Sequence, residues 1–312
     1  MRYFINAPVL RVLLLCVCTL LSLYSSARTV TDQGDGLNIE GIPQRIVVLE
    51  YSFLDAVVLA GISPTGIADD QRPERILPEI RQQLEDYTSV GLRGQPDLET
   101  IASLKPDLII ADKYRHEAIY KELKKIAPTL LLRSYGAEYS DLLEDTVTIG
   151  AALGKPEEIN RALALHNQRM DALSKQITEG AGDGINNQSL LFAVTNHRAM
   201  TLHGSKAFAS GVMRRLGLQH ATPVNDERAY IQIGFEQLLE MNPQWLIIGD
   251  YSEAQGGSDI LNRWQQHPLW QHLNAIKSDH QVRVDPKVWA LGRGVMGAER
   301  IAADLSKALK QQ

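Results

Sequence analysis

Residues 156–178, PEEINRALALHNQRMDALSKQIT, decide how the rest of the chain is organised. This stretch has no glycine and no internal proline, and Pro156 suits the first turn of a helix. Its apolar residues recur at nearly helical spacing: Ile159, Leu163, Met170, Leu173 and Ile177. At ~1.5 Å per residue such a helix spans ~34 Å, enough to connect two domains. The glycine- and asparagine-rich segment 180–187 marks a break after it.

Strand and helix signals alternate on both sides of this helix, which indicates parallel βαβ units and an α/β fold. Ser52 is the expected N-cap of the first helix, because it follows the strand RIVVL and precedes an apolar run. Before the long helix the predicted strands are 45–49, 64–68, 108–111 and 128–132, and the helices are 55–60, 98–104 and 117–126. After it the strands are 189–194, 245–248 and 281–284, and the helices are 205–216, 235–241 and 295–309.

A weak internal repeat relates the two halves. Residues 98–110, LETIASLKPDLII, align without gaps with residues 235–247, FEQLLEMNPQWLI. A short helix, a proline and a hydrophobic strand are common in α/β proteins, so packing alone explains most of the match. Packing does not require the matched glutamates, Glu99 and Glu236. We therefore predict an N-terminal α/β lobe (28–155), a connecting helix (156–178) and a C-terminal α/β lobe (179–312), both lobes with parallel sheets.

The first 27 residues have the pattern of a secretory signal. Arg2 and Arg11 are their only charges, an apolar run of 12–23 follows, and small residues precede a predicted cleavage after Ala27. The run is shorter than the ~20 residues of a membrane-spanning helix. Both cysteines, Cys16 and Cys18, lie inside it, so the mature chain has no disulfide, cysteine ligand or cysteine nucleophile.

The charge balance argues against a nucleic-acid or anionic-membrane binder. The full chain has a net charge of −5, and removal of the two arginines of the signal makes it −7. An acidic chain without a basic tract binds phosphates poorly, so only a local basic patch is expected to hold an anion.

Common catalytic and cofactor motifs give little support for an enzyme. Residues 292–297, GRGVMG, match GxGxxG, but no βαβ unit follows and no acidic residue lies at the required distance. GxSxG, P-loop and HExxH motifs are absent from the sequence. His267 and His272 are five residues apart, which does not match one helix face. Ligands distant in sequence can converge in a fold, so a zinc or manganese site remains an alternative.

Arginines follow several strand signals, where ligands of open α/β sheets bind. A guanidinium group forms two parallel hydrogen bonds to one carboxylate, so five loop arginines in an acidic protein indicate an anion-binding cleft. Tyr114 and Trp289 lie beside two of them and are candidate cleft walls. The arginines are Arg93, Arg115, Arg198, Arg228 and Arg293.

The chain resembles the periplasmic iron-siderophore and cobalamin binding proteins of ABC importers over nearly the whole mature sequence, about residues 44–312. The residues that carry the resemblance are RIVVL (45–49), GLR (91–93), PDLE (96–99), LKPDLI (104–109) and the Glu236 segment. Within that family it is most similar to the receptors for ferric dicitrate, through residues 111–112, 115–116, 263–266, 268–270 and 298–304.

The resemblance implies two α/β lobes joined by one rigid helix, the class III periplasmic binding fold, with a ligand held between the lobes. It also implies that Glu99 and Glu236 dock onto arginines of the two permease subunits. We expect a periplasmic monomer that captures ferric citrate for an ABC permease, catalyses no reaction and uses no cofactor.

Citrate oxygens already coordinate the iron in ferric citrate, so no direct metal ligand from the protein is expected. The predicted ligand-binding residues are Arg93, Arg115, Arg198 and Arg293, with Trp289 as a wall and His116 as an outer donor; Arg228 and Tyr114 are left open. The alternatives are a receptor of the same class for another siderophore, haem or cobalamin, a periplasmic zinc or manganese receptor, and a secreted α/β enzyme.

Overall fold

The N-terminal lobe is built on a five-stranded parallel sheet, whose strands in spatial order are Thr88–Ser89, Gly66–Ile67, Ile46–Val48, Leu108–Asp112 and Thr129–Leu132. Both faces of its central strands are buried, which suits the apolar runs IVV and LIIAD. The computed structural model describes residues 28–180, 184–222, 227–252 and 259–310, so the predicted signal segment lies outside the described residues. The strands of this lobe are β1 (Arg28–Val30), β2 (Leu37–Ile39), β3 (Ile46–Val48), β4 (Gly66–Ile67), β5 (Thr88–Ser89), β6 (Gly91–Leu92), β7 (Gln95–Pro96), β8 (Leu108–Asp112) and β9 (Thr129–Leu132).

Helices follow the strands of this lobe, and those at Tyr51–Leu59, Leu98–Ser103 and Tyr120–Ile126 overlap the predicted helices 55–60, 98–104 and 117–126. The first helix begins at Tyr51 and its N-cap is Glu50, so the prediction of Ser52 as the cap is wrong; the Ser52 hydroxyl instead contacts the Ser134 hydroxyl at 2.7 Å. The sequence does not predict the helices at Pro78–Arg81, Lys113–His116 and Tyr139–Ala152. The helices are α1 (Tyr51–Leu59), α2 (Pro78–Arg81), α3 (Leu98–Ser103), α4 (Lys113–His116), α5 (Tyr120–Ile126) and α6 (Tyr139–Ala152), with 3-10 turns at Pro73–Arg75 and Glu117–Ile119.

The connecting helix α7 spans Pro156–Gly180, two residues further than predicted. It buries one stripe that contains Ile159, Met170 and Ile177 and exposes most of its charged residues. It packs mainly against the C-terminal helix and against α6. No helix among the described ranges has the length and hydropathy needed to cross a membrane.

The sheet of the C-terminal lobe is mixed, which corrects the prediction of a parallel sheet there. In spatial order its strands are Tyr230–Ile233, Met200–His203, Ser189–Thr195, Trp245–Asp250 and Gln281–Val284, with Gln219–His220 beside Ser189–Thr195. Strand Met200–His203 runs antiparallel to Ser189–Thr195, because a short turn after Thr195 leads the chain straight back, and it also pairs antiparallel with Tyr230–Ile233. The strands are β10 (Ser189–Thr195), β11 (Met200–His203), β12 (Gln219–His220), β13 (Tyr230–Ile233), β14 (Trp245–Asp250) and β15 (Gln281–Val284).

The helices of this lobe surround the mixed sheet, and the last one returns to the connecting helix. They are α8 (Phe208–Arg215), α9 (Phe235–Met241), α10 (Asp259–Gln265), α11 (Asn274–Lys277) and α12 (Val295–Leu309). One apolar cluster runs through both lobes and includes Val48, Leu142, Met170, Phe192 and Leu305. The lobes are therefore joined by shared packing as well as by α7.

Candidate functional site

Charged side chains gather at the carboxyl ends of the N-terminal strands, which is the edge where open α/β sheets bind ligands. Glu50 follows β3 and Asp70 lies beyond the end of β4. Arg115 lies on α4, directly after β8, and Ser134 follows β9. Arg93 lies in the turn between β6 and β7, next to this edge.

Glu50 is the centre of the cluster. It is 1% exposed, and its Oε1 accepts a hydrogen bond of 3.0 Å from the backbone N–H of Tyr51 as it caps α1. Burial alone would raise the pKa of Glu50, but Arg93, Arg293 and Arg115 outweigh burial and lower it to about 2. Glu50 is therefore ionised at neutral pH.

Arg93 uses all of its guanidinium nitrogens within the protein. Its Nη1 donates to Glu50 Oε1 at 2.7 Å, while Nε and Nη2 donate to Asp70 Oδ2 at 3.1 and 2.8 Å. The guanidinium carbon lies 4.0 Å from the centroid of the Tyr51 ring, and only 7% of the side chain is exposed. Arg93 is thus held in place by its neighbours.

Arg115 is anchored through a single nitrogen of its guanidinium group. Its Nε donates to Glu50 Oε2 at 2.8 Å, and its backbone N–H donates to Asp112 Oδ2 at 3.1 Å, which starts α4. The side chain is 24% exposed and lies over the Tyr135 ring, 5.5 Å from its centroid. Arg115 is therefore anchored by a buried carboxylate and still reaches solvent.

Arg293 brings the C-terminal lobe to the same carboxylate. Its Nη2 donates to Ser134 Oγ at 3.0 Å and lies 3.6 Å from Glu50 Oε1, while Nη1 donates to the Tyr230 hydroxyl at 3.2 Å. Its Nε is buried and has no hydrogen-bond partner among the described residues. A buried N–H without an acceptor costs free energy, so this atom favours an added oxygen nearby.

The loop that carries Arg293 is fixed by Asp55 of α1. The Asp55 carboxylate accepts hydrogen bonds from the backbone N–H groups of Val295 and Met296, at 3.1 and 2.9 Å, at the start of α12. Gly294 has φ 157°, and a Cβ at this position would lie 2.6 Å from the Asp55 carboxyl carbon. Burial raises the pKa of Asp55 to about 7, although the helix N–H groups act in the opposite direction. Glycine is required where the helix approaches the carboxylate this closely.

His116 lies behind the arginines. It is fully buried; its Nδ1 accepts from the Asp112 backbone N–H at 2.9 Å, so the neutral ring donates from Nε2 to the Arg93 carbonyl at 2.7 Å. Burial lowers the pKa of His116, which favours this neutral form. His116 thus contacts the loop of Arg93 and has no solvent-facing surface for a ligand.

Two adjoining cavities open beside the cluster. A cavity of about 550 Å³ is lined by Arg93 and Arg115 together with Arg72 and Arg75, and a cavity of about 920 Å³ shares Arg72 and Arg75. The C-terminal wall of the larger cavity consists of residues at the carboxyl ends of β10, β14 and β15, such as Asn196, Tyr251 and Asp285. The larger cavity therefore lies between the lobes, with Arg72 and Arg75 on the N-terminal side and Arg283 and Lys287 on the C-terminal side.

The cluster carries excess positive charge. Arg75 Nη1 donates to Asp70 Oδ2 at 2.9 Å, so Arg75 joins Arg93, Arg115 and Arg293. Four guanidinium groups meet three carboxylates, Glu50, Asp70 and Asp112, which leaves an excess of one positive charge. Such a site attracts an anion even though the whole chain is acidic.

Two predicted ligand residues lie elsewhere. Arg198 is exposed in the turn between β10 and β11 and lies outside the arginine cluster, so the prediction that it joins the others is wrong. The prediction that Trp289 forms a wall of the cleft is also wrong. Its ring is 1% exposed and packs on Phe192, and its Nε1–H donates a hydrogen bond to Asp304 Oδ2 at 3.0 Å.

The two residues whose place in the cleft the sequence leaves open lie together at a different cavity. Tyr114 and Arg228 both line a cavity of about 650 Å³ between the lobes. None of the residues that line it lines the 550 or 920 Å³ cavity. Of the five loop arginines, three therefore surround Glu50, one lines this separate cavity and one is exposed in a turn.

Glu99 and Glu236 lie at matching places in the two lobes. Each is exposed in the first turn of a short helix, α3 or α9, that is followed by a proline and a buried strand. Among the described residues there is no group of three or more His, Cys, Asp or Glu side chains placed to hold a metal ion.

Sequence reasoning missed Glu50, Asp70, Arg72 and Arg75, although the same strand-end rule applies to all four. They follow the strand signals RIVVL and PTGIA, where ligands of open α/β sheets bind. An acidic residue directly after a buried strand, such as Glu50, was the available signal.

Comparison with known proteins places this geometry in a family. A periplasmic binding protein family model matches residues 46–288. The Fe(3+) dicitrate-binding periplasmic protein FecB of Escherichia coli is 41% identical over 290 residues, which cover 93% of this chain and 92% of FecB. The chain belongs to the periplasmic binding protein family. A second member, the Fe(3+)-citrate-binding protein YfmC of Bacillus subtilis, is 38% identical over 90% of this chain and 85% of its own length.

Solved structures of the family share the fold. Staphylococcus aureus SirA complexed with staphyloferrin B superposes with a TM-score of 0.80 at 24% identity, over 90% of this chain and 98% of SirA. The architecture is thus the two-lobed class III periplasmic binding fold that the sequence predicts. Members of this family are substrate-binding proteins of transport systems.

Proposed function

We propose that this chain is a periplasmic receptor that captures ferric citrate and delivers it to an ABC permease. The observation that carries the proposal is the set of arginines around buried Glu50, beside the 550 Å³ cavity of the N-terminal lobe and the 920 Å³ cavity between the lobes. The similarity to FecB and YfmC, both named for ferric citrate binding, supports the choice of ligand. The receptor binds and releases its cargo without covalent chemistry.

The ligand chemistry fits guanidinium groups. Citrate oxygens occupy the coordination sphere of the iron, so the protein has to neutralise carboxylates rather than supply metal ligands. Arg75 and Arg115 are 29% and 24% exposed and line the 550 Å³ cavity, so we assign them direct contact with citrate carboxylates. Arg93, whose donors are engaged by Glu50 and Asp70, positions the others.

Arg293 completes the proposed site from the C-terminal lobe. Its buried Nε lacks an acceptor among the described residues, and its other nitrogens contact Ser134 and Tyr230. A citrate oxygen that accepts from this Nε would remove the cost of the unsatisfied donor. His116 supports the site through the carbonyl of Arg93.

Export and docking complete the proposal. Residues 1–27 direct the chain to the periplasm with cleavage after Ala27, and the mature monomer uses Glu99 and Glu236 to dock on the two permease subunits. Exposed ion pairs are individually weak and screened by salt, which suits a receptor that must dissociate after delivery.

Calorimetric titration of the mature protein tests the ligand. We expect ferric citrate to bind at micromolar or lower concentration, and a ferric hydroxamate, haem and cobalamin to bind at least tenfold more weakly. Tighter binding of one of those ligands identifies this chain as a receptor of the same class for that ligand. Retention of zinc or manganese after purification, without binding of any ferric chelate, contradicts the proposal.

A further inference from the structure

Residues 292–297, GRGVMG, hold a carboxyl group of the protein itself. The segment matches GxGxxG, a pattern that lets the N-terminus of a helix approach an anion closely. The helix that follows is α12 of the C-terminal lobe, and its Val295 and Met296 N–H groups donate to Asp55 Oδ1 and Oδ2, at 3.1 and 2.9 Å. Asp55 lies on α1 of the N-terminal lobe and is 1% exposed. A carboxyl group of one lobe therefore occupies the place that an external anion takes in a dinucleotide-binding loop.

Two further glycines of the segment keep it pressed against the N-terminal lobe. A Cβ on Gly292 would lie 2.9 Å from a methyl group of Leu77, which belongs to that lobe. A Cβ on Gly297 would lie 1.5 Å from the Gly292 carbonyl oxygen, so the loop folds back tightly on the first turn of α12. Larger side chains at these two positions would push the loop away from Asp55.

Helix α1 holds the loop at a second point. Glu50, the N-cap of α1, lies 3.6 Å from Arg293 Nη2, and Asp55 lies five residues further along the same helix. Between them, the Ser52 hydroxyl donates to Ser134 Oγ, which also accepts from Arg293 Nη2. Two attachments to one helix fix both the position and the direction of the loop that carries Arg293.

Two ion pairs continue the attachment along α12. Arg300 Nη1 lies 2.9 Å from Glu79 Oε1 on α2 of the N-terminal lobe, and Glu299 Oε1 lies 3.0 Å from His166 Nδ1 on the connecting helix. The pair of Arg300 and Glu79 is exposed and therefore screened by salt, whereas the contact of Asp55 is buried. Asp55 thus contributes more than this pair to the attachment of α12.

We propose that Asp55 is a positioning residue for the ligand: it holds residues 292–297 on the N-terminal lobe and so keeps Arg293 beside Glu50 before ferric citrate binds. A site that is arranged in advance loses less conformational entropy on binding and therefore binds more tightly. The consequence for affinity rests on the proposed function, because that function assigns Arg293 to the ligand. The attachment itself belongs to the ligand-free protein and is measured without ferric citrate.

Amide hydrogen exchange of the ligand-free mature protein tests the attachment. The Val295 and Met296 amides should exchange roughly a hundredfold more slowly than in an unfolded chain. Asp55→Asn keeps the size of the side chain but has one acceptor oxygen instead of two, so exchange of at least one of these amides should become tenfold faster. Asp97→Asn is the matched control, because Asp97 accepts two N–H groups at the start of α3 within one lobe and should leave both amides unchanged.

Two results of this experiment would overturn the proposal. One is unchanged exchange of both amides in Asp55→Asn. The other is unprotected exchange of both amides in the wild type, which is informative even if Asp55→Asn does not fold.

A double-mutant cycle in urea unfolding tests whether Asp55 acts on Arg293. Asp55→Asn and Arg293→Gln together should destabilise the protein less than the sum of their separate effects, by at least fivefold in the unfolding equilibrium constant, because a released loop no longer places Arg293 on Glu50. Arg300→Gln replaces Arg293→Gln in the control cycle, since Arg300 lies on the same helix in an exposed pair, and its effect should add to that of Asp55→Asn within twofold. Additive effects of Asp55→Asn and Arg293→Gln would overturn the positioning role.

Ferric citrate affinity, measured by calorimetry, gives the consequence for binding. Asp55→Asn should weaken ferric citrate binding three- to tenfold in the wild-type background and less than twofold in Arg293→Gln, because the position of Arg293 matters only while Arg293 is present. Equal losses in both backgrounds would show a general structural effect and overturn the positioning role. Absence of ferric citrate binding to the wild type, with slow exchange and a coupled unfolding cycle, refutes the proposed function alone.

Discussion

Arg293 Nη2 lies 3.6 Å from Glu50 Oε1, although the two residues belong to different lobes. The same Glu50 carboxylate accepts hydrogen bonds from Arg93 and Arg115 of the N-terminal lobe. One buried carboxylate therefore holds arginines from both sides of the cleft. Without it, like-charged guanidinium groups would face each other in a water-poor space, so Glu50 links the stability of the fold to the geometry of the site.

Glu50→Gln should destabilise the protein strongly. The variant removes a buried charge and leaves Arg93 and Arg293 without their shared counter-ion, which costs about 3–5 kcal/mol in comparable buried pairs. Urea unfolding at pH 7 measures the free energy of unfolding. The matched control is Glu74→Gln, because Glu74 pairs with Arg72 at 2.8 Å on the exposed surface and should change stability little. Equal effects of the two substitutions would contradict the central role of Glu50.

The pH dependence of stability should carry the signature of Glu50. Its pKa in the folded state is about 2 against 4.5 in a model compound, so its contribution is complete above pH 4.5 and is lost as the pH falls toward 2. The pKa difference corresponds to roughly 3 kcal/mol. We expect the difference in unfolding free energy between wild type and Glu50→Gln to shrink from pH 5 to pH 2.5. A constant difference over this range would show that Glu50 is not ionised in the fold.

Arg115→Gln should weaken ferric citrate binding by ~1.5–3 kcal/mol, roughly ten- to a hundredfold in Kd, because a charge-assisted hydrogen bond to citrate is lost. Arg198→Gln is the control, since it removes the same charge from the exposed turn between β10 and β11. Calorimetric titration in 0.15 M salt measures both variants. If Arg198→Gln loses as much affinity as Arg115→Gln, net charge rather than the cluster determines binding.

The sequence predicts the central parallel strands of both sheets, but it misses β11 and β13 of the mixed sheet and predicts the cluster only in part. Helix α12 and strand β15 have the bounds that periodicity predicts, because apolar patterning reports local structure. Patterning does not report which charged loops meet. Arg198 and Arg93 both follow strand signals, yet one is exposed in a tight antiparallel turn and the other is buried against Glu50. Which charged side chains pair depends on the path that the chain takes between strands, and that path is determined by the whole fold.

Trp289 illustrates the same limit and gives a further prediction. A tryptophan next to a strand-end arginine suits a cleft wall, but this ring packs in the core and donates to Asp304. Trp289→Phe should therefore lower the unfolding free energy by about 1–3 kcal/mol through lost contacts and a lost hydrogen bond. Its ferric citrate affinity, measured well below the melting temperature, should stay within threefold of wild type. A tenfold loss of affinity at unchanged stability would instead show that Trp289 contributes to ligand binding.

Glu99 and Glu236 should affect transport without affecting binding. Both are exposed in the first turns of α3 and α9, away from the residues that line the cavities described above. The double variant Glu99→Ala with Glu236→Ala should abolish most iron uptake in cells that depend on this receptor, while the purified protein keeps its ferric citrate affinity. The double variant Glu157→Ala with Glu179→Ala is the matched control, because both are exposed glutamates of α7 and their loss removes the same two charges. An equal fall in uptake for this control would attribute the effect to overall charge. A parallel fall in the affinity of the Glu99 and Glu236 variant would place these glutamates in ligand binding rather than in docking.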